Sequence, residues 1–427
     1  MKENPIVQRQ QQLTQQWLDF TEKPDTRLCR WLVTDDELGM LQAFYQLQNS
    51  EGNDTGDFFL KLTSSFAEPT AFVQDLQQEF FQKIKELQEL VDDPLLKKWK
   101  PLKAVPGTSP ILHFLSTLGN FAQSLDLPEG FVVIYLQPQS IFNRYAWSDW
   151  LVQVLQMGIP QRVRWMLTDF QQEPYLKTLA QYFPQEVVTI APDLKMSAAV
   201  NELASAGDPA NPGVQFRKAF VHLTQAIGRQ DLAMVDQTAV KAFKIANANG
   251  WPHMKVAVNM ARAGAYLGKQ QYDKAYKIYG EAYDFARAAY KEGDKPSGKL
   301  SVTTLFSQGA AMIAAEKYDV AVHSYTQAVP YAEEAEDLYN LMEAWRMTGF
   351  CYQQLHQEKL AWNALWQALE IGPKVDDAVR PNSTLPYIGQ ALMAMAEKSG
   401  EMNLYYLVRD RMVFLVGEDW VEKAKAV

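Results

Sequence analysis

The stretch from Trp345 to Pro373 decides the fold of the C-terminal half of the chain, and it reads WRMTGFCYQQLHQEKLAWNALWQALEIGP. Large residues such as Trp345 and Leu365 are separated by small ones, as is needed where two short helices cross closely and side chains fill the gaps between them. The small residues expected where the two backbones approach are Gly349, Ala361 and Ala368. The stretch predicts a scaffold of packed helices, and it does not indicate a reaction.

The same pattern recurs upstream of this stretch. An alanine followed four residues later by an aromatic or apolar residue is found at Ala361 with Leu365, at Ala321 with Tyr325, at Ala275 with Tyr279 and, more weakly, at Ala239 with Phe243. The intervals between these alanines are 36, 46 and 40 residues. Three of the units also agree at two further positions, occupied by Tyr266, Met312 and Tyr352 before the alanine and by Ala282, Ala328 and Ala368 after it. The C-terminal half is therefore predicted to be a series of helix pairs.

These units resemble tetratricopeptide repeats. That family has Trp, two residues, Leu-Gly, two residues, Tyr, then Ala, three residues, Phe and a closing Pro. In this chain Thr348 replaces the Leu and Leu365 replaces the Phe, while the remaining pattern residues are in register at Trp345, Gly349, Tyr352, Ala361 and Pro373. The intervals exceed the family length of about 34 residues, so longer helices or loops are expected. The resemblance implies an all-α solenoid over residues 214–427, with residues 385–415 as a capping helix pair.

Residues 1–206 show a different organisation, in which short β-like runs alternate with amphipathic helices. The predicted strands are 27–33, 58–62, 131–136, 163–167 and 186–190. This alternation predicts an α/β domain with a mostly parallel sheet and flanking helices. Residues 92–110, rich in Pro and Lys, are predicted to be a loop, and residues 207–213, rich in Gly and Pro, a linker between the two domains.

The order of these strands and helices is similar to the ATPase core of the AAA+ and signal-transduction ATPase (STAND) families, in which helical repeats can follow the core. The similarity is one of topology. Where the family has a Gly-rich phosphate loop this chain has Thr34 to Gly39, and where it has paired acids after the third strand this chain has Leu136, Gln137 and Pro138. The resemblance therefore implies a degenerate core, a pseudo-NTPase. The run Asp35-Asp36-Glu37 is interpreted as part of a helix cap with Thr34, in preference to a cation site.

Composition excludes several classes of protein. The chain has 427 residues, 47% of them hydrophobic, and a net charge of −9, which argues against a nucleic-acid partner. The basic cluster Lys97 to Lys100 is interpreted as a solvated loop. No run approaches the about 18 apolar residues of a membrane span, and no signal peptide is recognisable. The two cysteines lie far apart, so no disulfide is expected and a cytoplasmic location is predicted.

No catalytic residue, cofactor or metal site is predicted. The segment Gly293 to Ser301 has the spacing of a phosphate loop, but Leu300 stands at the hydroxyl position and a helix precedes the segment. The five histidines do not pair with Cys or with each other at ligand spacing. Cys29, in a predicted strand, is interpreted as a buried structural thiol.

The remaining candidate is a protein-binding surface. The resemblance to tetratricopeptide repeats implies a concave groove lined by the first helix of each unit, and the register gives its candidate residues as Met260, Leu267, Phe306, Ile313, Arg346, Phe350 and Gln353. A largely apolar groove predicts that a partner peptide or amphipathic helix binds there, as to a scaffold, adaptor or chaperone-like protein. Packing between neighbouring helices, or occupation by this chain itself, explains the same residues. The alternative function is a nucleotide-dependent regulator or enzyme with a pocket near Thr34, Gln137 and Thr168. The sequence leaves the oligomeric state open.

Overall fold

A computed structural model describes residues 4–50, 53–103 and 106–423, with only the backbone described at 422 and 423. The chain divides into two compact units, Met1–Leu203 and Ala204–Val427. The first unit is an α/β structure with a parallel sheet, and the second consists of helices. The predicted fold class is confirmed.

The sheet of the α/β unit is parallel throughout. Its strands are β1 (Leu28–Val33), β2 (Phe58–Leu62), β3 (Val132–Leu136), β4 (Val163–Phe170) and β5 (Val187–Ile190). Their order is β2-β3-β4-β1-β5, so that β1 lies between β4 and β5. All five residues of β3 are buried, as expected of a parallel strand covered on both faces.

Helices cover both faces of this sheet. They are α1 (Pro5–Thr21), α2 (Asp35–Gln48), α3 (Pro69–Leu90), α4 (Pro94–Lys98), α5 (Pro110–Ser124), α6 (Arg144–Met157), α7 (Lys177–Tyr182) and α8 (Met196–Ala204). One core layer joins α1 and α2 to the sheet around Trp17 and Trp31. The opposite layer joins α3, α5 and α6 to it around Trp150 and Trp165. Each face of the sheet therefore has its own aromatic core.

Two sequence predictions were wrong in this unit. The predicted loop 92–110 contains α4, because the Asp93 carboxylate accepts the N–H groups of Leu95 and Leu96 and so caps a short helix. Lys97 and Lys98 of the basic cluster lie in this helix. The strand predicted to end at residue 167 continues to Phe170, which carries Asp169 into the sheet.

The second unit is a series of antiparallel helix pairs. Its helices are α9 (Pro212–Gly228), α10 (Leu232–Ala248), α11 (Pro252–Gly268), α12 (Tyr272–Lys291), α13 (Pro296–Ala314), α14 (Tyr318–Glu334), α15 (Leu338–Gln354), α16 (Glu358–Ile371), α17 (Leu385–Ser399), α18 (Met402–Val416) and α19 (Trp420–Lys423). Each of the first ten packs against its neighbours in sequence order. The unit is a tetratricopeptide-like helical repeat, as the sequence predicted.

Four helix pairs share one turn geometry. The residue between the two helices has a left-handed backbone at Gln230, Gln270, Glu316 and His356, with φ of 58°, 58°, 58° and 56°. The next residue then donates its N–H to the carbonyl five positions earlier, as Gln271 does to Tyr266 at 2.9 Å. The repeats are therefore alike in backbone conformation at residues whose side chains differ.

This turn leads to a prediction on stability. A left-handed residue with a side chain is strained, and glycine removes that strain at some cost in backbone entropy. We expect Gln270→Gly to raise the free energy of unfolding of the helical unit by about 0.5–1 kcal/mol. The matched control is Gln271→Gly, since φ of Gln271 is −86° and its conformation suits any residue. Urea unfolding of both variants measures the effect, and equal destabilisation by both would contradict it.

Close approach of the two helices explains a second repeated feature. A Cβ built on Gly309 would lie 2.7 Å from the ring of Tyr325, and one on Gly349 would lie 2.6 Å from Cγ of Leu365. Gly389 stands in the same relation to Met412, at 2.6 Å. The first helices therefore need glycine at these three positions so that the large side chain of the second helix can pack on their backbone.

Candidate protein-binding surface

The structure places all seven predicted groove residues on the first helices of three successive pairs. Met260 and Leu267 lie on α11, Phe306 and Ile313 on α13, and the other three residues on α15. Each of the seven is partly exposed. We call the face of α11, α13 and α15 that carries them the first-helix surface. Its residues are therefore brought onto successive first helices, as the register predicted.

Packing within the unit covers most of the apolar side chains in this set. The ring of Phe306 lies 5.5 Å from that of Tyr325, and the ring of Phe350 lies 6.2 Å from that of Tyr318. Met260, Leu267 and Ile313 also pack against this core layer. These apolar residues thus contribute to the contact between first and second helices, and their remaining surface is open.

Small exposed residues lie between these larger side chains. Gly264 and Ala310 are exposed one helical turn after Met260 and Phe306, and Gly268 and Ala314 are exposed one turn further on. An added Cβ at Gly264 would meet only the hydroxyl of Tyr279, at 3.8 Å. A ligand can therefore approach the helix backbone closely along this face.

Arg346 is held by its own helix. Its guanidinium donates two hydrogen bonds of 2.7 Å to the carboxylate of Glu343. Burial acts to lower the pKa of Arg346, but the bond and the charge of Glu343 outweigh it and raise the pKa above its usual value. The first-helix surface therefore presents a neutralised ion pair at this point.

A polar network on neighbouring helices was not found from the sequence. Asp236 of α10 accepts hydrogen bonds from Nε of Arg262 at 2.7 Å and from the hydroxyl of Tyr266 at 2.6 Å. Lys274 of α12 donates to the same hydroxyl at 2.8 Å. Partial burial raises the pKa of Asp236, but these bonds lower it further, so the net direction is downward. The network joins α10, α11 and α12. Tyr266 is its one member that the repeat pattern had singled out.

Carboxylates occupy the helix N-terminus at the carboxyl end of β1. Glu37 is 4% exposed and accepts the N–H of Thr34 at 2.9 Å and that of Leu194 at 2.6 Å. Asp35 and Asp36 stand in the same first turn of α2. The Thr34 to Glu37 segment is a capping box, as expected. A helix N-terminus that binds phosphate offers its N–H groups to the anion, whereas here the Glu37 carboxylate accepts the N–H of Thr34 and two further carboxylates lie in the first turn.

Residues at the ends of the neighbouring strands also form hydrogen bonds within the protein. The hydroxyl of Thr168 lies 2.9 Å from that of Tyr135, and the N–H of Gln137 donates to the carbonyl of Leu62 at 2.9 Å. The three residues proposed from sequence to flank a nucleotide pocket therefore lie at the carboxyl ends of β1, β3 and β4. Gln137 and Thr168 make contacts within the sheet, and Thr34 contacts the first turn of α2.

A buried ion pair links β1 to the end of β4. Oδ2 of Asp169 accepts hydrogen bonds from Nε and Nη2 of Arg30, at 2.8 and 2.6 Å, and from the N–H of Leu176 at 3.1 Å. The side chains are 0% and 4% exposed for Asp169 and Arg30. No partner was predicted for either residue. A charged residue within an otherwise apolar strand was the available signal.

One cluster contains the residue types of a hydrolase triad. His253, Asp294 and Ser297 are in mutual contact, but Nε2 of His253 faces both Asp294 and the Ser297 hydroxyl, the latter at 3.1 Å. A triad needs one imidazole nitrogen for the nucleophile and the other for the carboxylate. The cluster therefore joins α11 to the start of α13. Gly298 and Lys299 of the phosphate-loop-like segment lie inside α13.

Two further features are absent from the part of the chain that the structure describes. No group of three or more His, Cys, Asp and Glu side chains is arranged to hold a metal ion within 4–50, 53–103 and 106–423. No helix in the same part of the chain is long and apolar enough to cross a membrane.

This chain is similar to several solved structures at low sequence identity. No family model matches the sequence, and no curated protein matches it. The chain is similar to BtubC (BKLC) from P. vanneervenii, with 16% identity and a TM-score of 0.40 over 54% of this chain and 90% of that one. It is also similar to the apo form of RapI, with 13% identity and a TM-score of 0.43 over 83% of this chain and 80% of that one.

A third solved structure is matched over nearly the full length of both chains. It is a Signal Transduction ATPase with Numerous Domains (STAND) protein with a tetratricopeptide repeat sensor from Pyrococcus horikoshii, with 10% identity and a TM-score of 0.19 over 96% of this chain and 92% of that one. At these identities and TM-scores none of the three proteins indicates what this chain binds.

Proposed function

We propose that this protein is a non-enzymatic scaffold that binds a partner protein through the first-helix surface of its helical repeats. The observation that carries the proposal is the partly exposed apolar set on three successive first helices, Met260, Leu267, Phe306, Ile313 and Phe350. Apolar side chains that remain partly exposed in a regular array are suited to a second apolar surface.

The shape of this surface favours a peptide or an amphipathic helix as the ligand. Large side chains recur at intervals of seven residues on α11 and α13. Exposed Gly264 and Ala310 lie between them, and exposed Gly268 and Ala314 directly follow the second of each pair. A narrow ligand fits between the large side chains because the small residues allow close approach. The ion pair of Arg346 with Glu343 offers polar contacts at one end.

The alternative, a nucleotide-dependent activity of the α/β unit, has less support. The N-terminus of α2 is capped by Glu37 and carries Asp35 and Asp36 in its first turn. An anionic phosphate at this point would meet three carboxylates, and like charges repel. We therefore rank protein binding first.

The test uses an exposed residue, so that the core is left intact. Ala310→Arg places a long cationic side chain on the first-helix surface, at a helix position where arginine is well tolerated. We expect the recovery of partner proteins by the full-length variant to fall about tenfold, which corresponds to about 1.4 kcal/mol of binding.

The matched control is His323→Arg, which adds a similar side chain at an exposed position on α14, a second helix. It is expected to recover the same partners as the unmodified chain. Circular dichroism melting of both variants checks that they fold alike. Full recovery of partners by a folded Ala310→Arg variant would overturn the proposal.

A further inference from the structure

A groove lies between the second helices α10 and α12, above α11. Its volume is about 400 Å³, within the range of about 300–1,000 Å³ for ligand pockets. We call it the second-helix groove. It is separate from the first-helix surface, because Asn259 and Arg262, which line it, point to a different side of α11 from Met260 and Leu267.

The floor of this groove contains a buried amide without a partner. Asn259 is 5% exposed, no hydrogen bond joins its side chain to another described residue, and the amide atoms keep a little accessible surface that faces the groove. The equivalent positions in the following repeats, 46, 86 and 126 residues later, are Leu305, Trp345 and Leu385. An unpaired buried amide is unfavourable for folding, and three repeats place an apolar residue there instead. Packing alone therefore does not explain Asn259.

An amide of this kind matches a peptide group. The Asn side chain has one carbonyl acceptor and an NH₂ donor, which can accept the N–H and donate to the C=O of an extended peptide backbone. The walls are apolar, with Val240 and Phe243 on α10 and Phe285 on α12. The rings of Phe243 and Phe285 are 5.3 Å apart, so they form a continuous apolar surface for a side chain.

The charges along the rim have opposite signs on its two sides. Lys244 lies on the α10 side, and Glu281 and Asp284 lie on the α12 side. Arg262 is paired with Asp236, and the ammonium of Lys255 lies 4.7 Å from the centre of the Phe285 ring. A ligand with an acidic and a basic side chain on either side of an apolar one complements this rim.

We propose that the second-helix groove binds an extended peptide segment with an apolar side chain flanked by one basic and one acidic residue, and that Asn259 pairs with its backbone. This site is independent of the first-helix surface, so either one can fail while the other stands.

The test compares binding with stability. The probe is a capped tripeptide of lysine, leucine and glutamate, titrated into the full chain by ligand-detected NMR, with capped triglycine as the control peptide. Asn259→Leu replaces the amide by an apolar side chain with the same number and branching of heavy atoms. We expect the dissociation constant of the probe to rise about tenfold or more, because two hydrogen bonds are lost. We also expect the unfolding temperature to stay the same or to rise by about 2–4 °C, because a buried unpaired amide has been removed.

A second variant supports the first. Val240 is 51% exposed, so Val240→Arg fills the groove from its rim without disturbing the core, and it is expected to abolish probe binding at an unchanged unfolding temperature. Ala310→Arg on the first-helix surface is expected to bind the probe normally. The inference would be overturned if the unmodified chain fails to bind the probe or if Asn259→Leu binds it normally. It would also be overturned if Asn259→Leu has a lower unfolding temperature or if Ala310→Arg loses binding.

Discussion

Replacing Asp169 by alanine is expected to lower the free energy of unfolding of the α/β unit by about 3–5 kcal/mol, the usual cost of removing one partner from a buried ion pair. The guanidinium of Arg30 is 4% exposed and would lose both of its hydrogen bonds to Oδ2 of Asp169. The N–H of Leu176 would lose its acceptor as well. The cost arises because the buried charge of Arg30 would keep only its hydrogen bond to the Thr189 hydroxyl, and the N–H of Leu176 would lose its acceptor.

The measurement is hydrogen exchange of the β1 and β4 amides in the full chain at increasing urea. The control is Glu173→Ala at the ion pair of Arg144 with Glu173, which has a length of 2.8 Å and side chains that are 52% and 73% exposed. Water screens that pair, so its loss should change stability far less. Equal effects of the two substitutions would contradict the prediction.

A double variant separates the cost of an unpaired charge from the value of the pair. Arg30→Met with Asp169→Leu replaces both ions by apolar side chains and leaves no buried charge behind. We expect it to regain most of the stability lost in Asp169→Ala. If the double variant is as unstable as the single one, the pair itself holds the end of β4 in the sheet.

Gly349→Ala is expected to destabilise the helical unit. The new Cβ would lie 2.6 Å from Cγ of Leu365 and 3.3 Å from the carbonyl oxygen of Ala361, so α15 and α16 must move apart or Leu365 must leave its rotamer. Overpacking of this kind costs about 1–3 kcal/mol. Hydrogen exchange of the α15 and α16 amides measures the loss.

The same substitution at Gly264 is the matched control, since a Cβ there meets only the Tyr279 hydroxyl at 3.8 Å. Alanine favours helix over glycine by about 1 kcal/mol, so Gly264→Ala should be neutral or stabilising. Adding Leu365→Ala to Gly349→Ala should cost less than Leu365→Ala alone costs in the unmodified chain, because the truncated side chain makes room for the new methyl group. Additive effects of the two substitutions would show that Gly349 and Leu365 do not compete for space.

The helical repeats could be predicted because their packing is local. Gly349, Ala361 and Leu365 lie within one pair of helices, so sequence spacing alone reports their contact. The strands were predictable for a related reason, since a run buried on both faces, such as Val132–Leu136, is apolar throughout.

Contacts between distant residues could not be predicted in the same way. Arg30 and Asp169 are 139 residues apart, and the spacing within each strand does not indicate the register that brings them together. The strand predicted over 163–167 left Asp169 outside the sheet, and an isolated carboxylate would be unfavourable in a sheet interior. Arg30 forms an ion pair with Asp169 inside the sheet, and the strand therefore continues to Phe170.

The amide of Asn259 was missed because a single polar residue in a helix is ordinarily on the surface. Its burial becomes apparent only when the repeat register is extended to Leu305, Trp345 and Leu385, which are apolar. The candidate residues of the first-helix surface were easier to find, since the same register gives them directly. Whether they bind a partner stays a prediction.

The two cysteines lie one in each compact unit, and both are buried and free. Burial raises the pKa of Cys29 well above its usual value and raises that of Cys351 to about 12, so neither thiol reacts readily while its surroundings are closed. Cys29 is in β1 and Cys351 in α15. The two cysteines therefore report on the two units separately. In one sample, the rate at which a thiol reagent modifies Cys29 measures the opening of the sheet, and the rate for Cys351 measures the opening of the helical repeats.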